Sequence, residues 1–263
     1  MITLFKHEFK QNLKSLLIWS ISVGTLGLMC VLLYQSMTED MQALSDSFSN
    51  MGAFSDAFGM STLGIGTLKG YFATEVGAVH GIGSGMFAAI MATSLLSKEE
   101  DGHTGEFLYS LPVSITKVVA VKIAACITGL ILFSVITGIF YISGVAYLGE
   151  NFETDLFLKY MISVLLMNIE IACICVAFSA FVKKNMIGAG LGIALLFYFS
   201  DLICRISPDL KDYIVYGPYS LANATEIFVG NEIAASAYII SAVLIIAAVV
   251  TAFVKYTRKD LAS

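Results

Sequence analysis

The chain has 263 residues, of which 57% are hydrophobic and 13% are charged, with a formal net charge of −5. A soluble domain carries about 25% charged residues, so this composition excludes an ordinary soluble protein and indicates a membrane protein. The apolar residues form several continuous stretches, each near the roughly 20 residues that a helix needs to cross a bilayer. Because these stretches lack the alternation of barrel strands, we predict an all-α integral membrane fold: a single transmembrane domain over residues 1–263, without an attached soluble domain.

The first 15 residues precede the first apolar stretch and are amphipathic. They divide into an apolar helical stripe, Ile2, Phe5, Phe9 and Leu13, and basic residues that lie largely elsewhere, Lys6, Lys10 and Lys14. A helix of this kind suits the membrane interface, so we predict an N-terminal interfacial helix over residues 1–15. A frayed charged terminus is the alternative interpretation.

Six transmembrane helices are predicted, at about 16–34, 71–97, 118–148, 156–182, 185–203 and 234–254. With the N-terminus inside, most of the 15 lysine and arginine residues fall on the inner side, and four fall outside: Lys69, Lys159, Arg205 and Lys211. Basic residues that flank membrane spans remain in the cytoplasm. We therefore expect a multi-pass protein of the cell (plasma) membrane with both termini in the cytoplasm.

Small residues recur every four positions in the second span, at Gly77, Gly81 and Gly85. The fifth span repeats the spacing with Gly188 and Gly192. Glycines at this spacing let two helix backbones approach closely, which drives helix association in lipid. The ridge therefore indicates either tight packing within the chain or an interface with a second subunit.

Polar side chains within a membrane span are costly, so each one is a candidate functional residue. Five are found: Glu75 and His80 in the second span, Asn168 and Glu170 in the fourth, and Asp201 near the outer end of the fifth. Glu170 lies far from both ends of its span. It would serve an ion-driven secondary transporter, or it is a neutral carboxyl that packs the bundle. No regular relay and no inverted repeat supports the transporter interpretation.

Motifs of soluble enzymes are absent from the sequence. There is no G-x-x-x-x-G-K-[ST] phosphate loop, so the chain by itself does not bind a nucleotide in the usual way. Ser84 has only His80 near it as a base, which does not favour an intramembrane protease. Cys173 and Cys175 point to different helix faces, and no paired histidines accompany them, which argues against a metal site. We predict that this chain is not an enzyme and holds no cofactor or metal.

The stretch KEEDGHTGEFLYSLPVSITKVVAVK, residues 98–122, contains the longest inner loop, between the second and third spans, and the start of the third span. Gly102 is expected to end a helix that extends from the second span past Lys98. Thr104 is then placed to cap a short new helix, which Pro112 stops. Ser114 is placed to cap the helix that becomes the third span.

The predicted short helix has an apolar side bordered by acids. Its apolar residues are Phe107, Leu108 and Leu111, and the acids are Glu99, Glu100, Asp101 and Glu106. Anionic lipid of the inner leaflet would repel these acids, which favours a basic, grooved partner in the cytosol. A solvated connector is one alternative. Another is a non-transporting membrane scaffold or sensor that holds a cytosolic protein through the same loop.

The loop also resembles a known family. Type-2 ABC exporter permeases, the ABC-2-type transmembrane subunits, commonly read E-x-x-x-G-T-x-E-x-L-x-S-L-P-V/I-S, followed by a lysine in the next span. The matching residues here are Glu99, Thr104, Glu106, Leu108, Ser110, Leu111, Pro112, Val113, Ser114 and Lys122. Two departures are His103, where glycine is usual, and Ile115, where a basic residue is frequent. The segment before the last span, RISPDLKDYIVYGPYSLANATEIFVG, is similar to the family's two short, re-entrant-like helices in the outer leaflet, and Pro208 and Pro218 fit such a broken course. The sequence alone would equally allow a plain outer loop.

The resemblance implies a half-transporter that pairs with a second permease subunit, identical or a sister chain, and with cytosolic ATP-binding subunits. ATP and Mg²⁺ would be bound by those partners. The short inner helix would be the coupling helix, and its contact with the ATPase is expected at Glu99, Glu100, Thr104, Glu106, Phe107, Leu108, Leu111 and Pro112. The expected activity is export of a hydrophobic or amphipathic substrate, such as a peptide antibiotic, a lipid or a drug-like molecule. Membrane lipid is a further expected partner, and nucleic acid is not.

Overall fold

The computed structural model describes residues 1–48, 52, 55, 63–105, 113–150 and 152–259, with 37–48 described as backbone only. These residues form helices and turns without a strand, and six of the helices are long and apolar enough to cross a membrane. We number them spans 1 to 6: Ile2–Ser36, Leu68–Thr93, Ile115–Leu148, Thr154–Ser179, Ile187–Ile206 and Ala235–Thr257. The predicted all-α membrane fold with six spans is confirmed, with boundaries that shift by several residues.

Span 1 belongs to one continuous helix, Ile2–Phe48. The boundary predicted between an interfacial helix over 1–15 and a span that begins at 16 is therefore not a helix end. Glu8, within this first part, is buried against the rest of the protein. Ile2, on the predicted apolar stripe, is 74% exposed. The N-terminal part thus packs onto the bundle through a polar side.

Spans 2 and 4 form the centre of the bundle. Span 4 contacts spans 2, 3 and 6, while span 1 lies along span 3. The most apolar stretch of span 4 is 61% buried and that of span 2 is 56% buried, against 11% for span 5 and 22% for span 6. Spans 5 and 6 therefore offer most of their surface to lipid or to another subunit.

An aromatic cluster surrounds Phe72 at the start of span 2. Phe72 begins a π-helical turn, Phe72–Val76, and is fully buried. Its ring centroid lies 5.2–6.3 Å from those of Tyr141, Phe152, Phe157, Tyr160 and Phe228. Aromatic pairs at this separation stabilise beyond the area they bury. The cluster joins spans 2, 3 and 4 to the segment that precedes span 6.

The segment before span 6 consists of short helices, as predicted, although there are three of them. Two are 3₁₀ helices, Pro208–Tyr216 and Pro218–Ala222, and each begins with a proline, whose fixed φ suits a first helical position. The third is the α-helix Ala224–Val229. Tyr219 of this segment is buried, and its hydroxyl donates to the carbonyl of Gly81 at 3.3 Å. The segment therefore packs directly on span 2.

The helix predicted to extend from span 2 to Gly102 is interrupted. Span 2 ends at Thr93, residues 94–97 form a turn, and a separate short helix, Lys98–Asp101, follows. Gly102 does end that short helix, as expected. The interruption lies where the loop between spans 2 and 3 begins.

Candidate functional site

Side chains from spans 3 and 4 stabilise the interruption at residues 94–97. A broken helix leaves backbone groups without their usual partners, and buried groups of this kind must be paired. The amides of Leu96 and Ser97 donate to the Ser179 hydroxyl at 2.9 and 3.2 Å. The carbonyl of Leu95 accepts from Lys122 Nζ at 3.0 Å. The extended helix predicted here is wrong because these two distant side chains replace its hydrogen bonds.

Lys122 is the centre of a buried ion cluster. Its side chain is fully buried, and its ammonium group forms ion pairs with Glu99 Oε1 and, at 3.1 Å, with Glu8 Oε1. The second oxygen of Glu8 lies 2.5 Å from Lys98 Nζ, which also donates to Gln11 Oε1 at 2.7 Å. Two carboxylates and two ammonium groups thus balance in charge. Buried charges are tolerated when they are paired in this way.

A fourth ion pair connects the same short helix to the residues that follow span 6. Lys259 Nζ lies 2.6 Å from Glu100 Oε1, at an angle that is not that of a hydrogen bond. The same ammonium group donates to the carbonyl of Val182, just past span 4, at 2.9 Å. The consecutive residues 98, 99 and 100 are therefore paired with three different helices: span 1 through Glu8, span 3 through Lys122 and the end of span 6 through Lys259. We call residues 94–104, with these contacts, the ion-paired turn.

The end of the ion-paired turn has a left-handed residue at His103. Its φ is +52°, whereas Gly102 before it has a φ of −85°. Left-handed backbone favours glycine because a side chain crowds the carbonyl there. Thr104 then returns to Glu99, whose carbonyl accepts from the Thr104 amide at 2.9 Å and from its hydroxyl at 3.5 Å. This geometry explains why a glycine at position 103 would suit the turn.

The residues predicted to contact an ATPase differ in whether they face this chain's own helices or solvent. Glu99 is 8% exposed and faces Lys122, and Glu100 faces Lys259, so both carboxylates are turned toward this chain's own helices. Thr104 is exposed. The other predicted contacts, Glu106, Phe107, Leu108, Leu111 and Pro112, lie outside the described residues. Ser114 is the N-cap residue of span 3, as predicted, although its side chain makes no capping hydrogen bond.

The small-residue ridge of span 2 packs against the segment before span 6. A Cβ atom added to Gly85 would lie 2.3 Å from the Tyr219 hydroxyl, and one added to Gly77 would lie 2.7 Å from the Ala224 Cβ. Gly81 lies between them and accepts the Tyr219 hydrogen bond. In this chain the ridge therefore serves close packing within one subunit.

The two predicted glycines of span 5 are not packed against other residues of the chain that the structure describes. A Cβ atom added to Gly188 or Gly192 would meet no described atom within 4 Å. The face of span 5 that carries them is therefore open, unlike the ridge of span 2.

The five polar residues predicted within spans do not form one site. No hydrogen bond or ion pair joins any two of them in the described part of the chain. His80 is fully buried, with Nδ1 3.2 Å from the Tyr160 hydroxyl, and Asp201 forms a two-point ion pair with Arg205 at 2.6 and 3.0 Å. Glu75 is exposed.

Span 4 carries the two remaining polar residues. Glu170 is 1% exposed and lies beside Ser241 of span 6, and its Oε2 atom has no hydrogen-bond partner among the described residues. Asn168 is fully buried, and its side-chain amide has no hydrogen-bond partner among the described residues. The contact of Glu170 with a neutral hydroxyl fits a packing role for this carboxyl.

Comparison with known protein families identifies the family of this chain. The model of a family described as "ABC-2 family transporter protein" matches residues 2–261, nearly the whole chain. The chain belongs to the ABC-2 transporter family. A search of curated proteins finds no match. As an ABC-2 protein, the chain is a transmembrane permease of an ABC transporter, and the family resemblance read from the inner loop is confirmed.

Several residues that contact the ion-paired turn were not predicted from the sequence. Glu8, Ser179 and Lys259 were not singled out, and Lys122 was noted only as a family lysine. One signal was available for Lys122, because it lies inside the predicted span 118–148, where a lysine needs a partner. Nothing in the local sequence of Glu8 or Lys259 indicates that either residue contacts the loop between spans 2 and 3.

Proposed function

We propose that this chain is the membrane subunit of an ATP-driven exporter, and that a separate cytosolic subunit binds ATP and Mg²⁺ and hydrolyses the nucleotide. The observation that carries the proposal is the ion-paired turn in a chain of the ABC-2 family. Coupling between two sites requires an element whose position both can bias. The ion-paired turn is such an element, because it begins the loop predicted to contact the ATPase and is joined to three helices.

In the proposed topology the protein lies in the plasma membrane, and the end of the bundle with the ion-paired turn faces the cytoplasm. The excess of lysine and arginine on that side supports the orientation. Glu8 near the N-terminus and Lys259 near the end of span 6 both contact residues 98–100, so these three parts lie at the same end of the bundle. This arrangement agrees with an even number of spans and with both termini in the cytoplasm.

The ATPase contact that we propose is centred on Thr104 and on residues 106–112. Within this contact, Phe107, Leu108 and Leu111 would enter a groove of the ATPase, with Glu106 at the edge. Glu99 and Glu100, which the sequence alone placed in the contact, instead hold the loop onto the permease. Their burial against Lys122 and Lys259 supports this division of roles.

A second permease subunit would complete the transport path. The open face of span 5, with Gly188 and Gly192, supports pairing there, because small residues permit close approach of another helix. The proposal covers a partner that is identical or a sister chain.

The substrate class that we propose is hydrophobic or amphipathic, such as a peptide antibiotic, a lipid or a drug-like molecule. A cleft between spans 2 and 5 and the segment before span 6 supports this choice. Its walls combine small residues and aromatic rings with one ion pair: Gly77, Gly81, Tyr198, Tyr219, Asp201 and Arg205. Sites for amphipathic ligands typically combine apolar walls with a few polar groups.

The decisive experiment is purification of the tagged chain from its native cells in mild detergent, with identification of co-purifying proteins and an ATPase assay. We expect a stoichiometric subunit with a phosphate loop, and we expect Leu108→Ser with Leu111→Ser to remove it. The matched control is Tyr213→Ser with Tyr216→Ser, which changes two residues that are each 60% exposed on the segment before span 6. This control should retain the partner.

Two results would contradict the proposal. Recovery of an intact complex with a non-ATPase protein would favour the scaffold interpretation. Transport that continues without ATP would favour an ion-driven mechanism.

A further inference from the structure

Lys259 joins separate parts of the molecule although it lies beyond the last helical residue of span 6. Its ammonium group contacts Glu100 on the ion-paired turn and the carbonyl of Val182 past span 4. The Lys259 and Glu100 side chains are 10% and 13% exposed. The contact is therefore largely shielded, but it lies nearer to water than the fully buried Lys122.

The main packing contacts of span 6 are with elements other than the ion-paired turn. Span 6 packs mainly against span 4, with smaller contacts to span 3 and the segment before it. Span 4 has its own link to the turn through the Ser179 hydroxyl. Among the described ion pairs, the one that joins the end of span 6 to the turn is Lys259 with Glu100.

The links of the turn differ in how easily they can be broken. Separating Lys122 from Glu99 would leave charges in a dry interior, which is strongly unfavourable. The Lys259 and Glu100 side chains are 10% and 13% exposed, so separating them costs less than separating Lys122 from Glu99 but is still unfavourable. We therefore expect the pair at Lys259 to hold when the turn moves.

We propose that Lys259 is a positioning residue that transmits movement of the ion-paired turn to span 6. The inference rests on the proposed function, since it requires an ATPase that displaces the loop. When the turn moves as one unit with Glu8 and Lys122, the Glu100 carboxylate carries Lys259 with it, and the end of span 6 shifts relative to span 4. Without the Lys259 charge, the turn still moves but span 6 does not follow.

Hydrogen–deuterium exchange of the intact complex tests this inference without knowledge of the substrate. The permease with its ATP-binding subunit is compared free of nucleotide and trapped with ATP and orthovanadate. In the wild type we expect trapping to change exchange in peptides that cover 94–105 and in peptides that cover 250–259. In Lys259→Met the change at 94–105 should persist, while the change at 250–259 should fall at least threefold.

The variants separate transmission from simple stabilisation. Glu100→Gln removes the negative charge of the pair and should give the same loss of response at 250–259 as Lys259→Met. Lys259→Arg keeps the positive charge and should give the wild-type response. Arg258→Gln is the matched control, because it removes one positive charge from the exposed neighbouring residue. A purely structural role would raise exchange equally in both nucleotide states and leave their difference unchanged.

The outcomes distinguish this inference from the proposed function. An undiminished response at 250–259 in both Lys259→Met and Glu100→Gln overturns the role of Lys259 and leaves the exporter intact. A wild-type complex that responds at 94–105 but not at 250–259 also overturns it. Absence of an ATP-binding subunit, or of any response at 94–105, overturns the proposed function together with the inference.

Discussion

Replacement of Lys122 with methionine removes the ammonium group that contacts both Glu8 and Glu99, and methionine keeps most of the side-chain volume. Removal of one partner from a buried ion pair costs about 3–5 kcal/mol. Glu8 retains Lys98 at 2.5 Å, so we expect a value near the lower limit. A loss of about 3 kcal/mol lowers the folded-to-unfolded ratio by roughly a hundredfold or more. For a chain of this size it corresponds to a fall of about 6–12 °C in Tm.

The assay is the thermal unfolding midpoint of the detergent-solubilised chain, followed by size-exclusion chromatography after heating. Lys117→Met is the matched control, because Lys117 is an exposed lysine on the same helix. A surface substitution of this kind changes stability by about 0.5 kcal/mol or less. The double variant Lys122→Met with Glu99→Gln should recover part of the loss, since the amide no longer carries an unpaired charge.

Two results would refute this reasoning. One is a Lys122→Met midpoint equal to that of Lys117→Met, which would mean that the cluster contributes no stability. The other is a double variant that is less stable than Lys122→Met, which would mean that the unpaired Glu99 charge is not the cause of the loss.

Three further predictions follow from single residues. His103→Val should lower stability by about 1–2 kcal/mol, because a β-branched residue is disfavoured in the left-handed backbone of position 103. His103→Asn and His103→Gly tolerate this backbone and should not lower stability, so equal unfolding midpoints for the three variants would contradict the prediction. Gly85→Ala should lower the midpoint, because overpacking against Tyr219 costs about 1–3 kcal/mol, whereas Gly188→Ala, with open space around it, should leave the midpoint of the single chain unchanged. Glu170→Gln should preserve ATP-dependent transport, since glutamine has nearly the size of the buried glutamate and the neutral Ser241 beside it requires no charge, and loss of transport would support an ion-driven mechanism.

The spans were predictable because their signal is local. Long apolar runs without alternation indicate helices in lipid whatever their neighbours are, and the structure has six of them. The short helices before span 6 were expected from the family resemblance, and Pro208 and Pro218 stand at the first position of two of them, where proline's fixed backbone is suited. The boundaries were less accurate where tertiary contacts replace helix hydrogen bonds, as Ser179 and Lys122 do at the end of span 2.

The candidate site was predictable only in part. Glu99 and Glu100 were recognised from their motif, but the motif placed them on an outward contact, and the structure turns them toward Lys122 and Lys259. The glycine ridge of span 2 allowed two interpretations, which the position of Tyr219 distinguishes for Gly85. A spacing pattern identifies a surface for close approach, but it does not identify what approaches.

By itself, the sequence determined which stretches lie in the membrane and to which family the loop between spans 2 and 3 is similar. Each of these follows from neighbouring residues, through composition, periodicity and motif. Only the tertiary structure decided that Glu8, Lys122 and Lys259, from three distant parts of the chain, meet residues 98–100. The physical reason is that the partner of a buried charge depends on how the helices pack together, and no local pattern of residues encodes that packing.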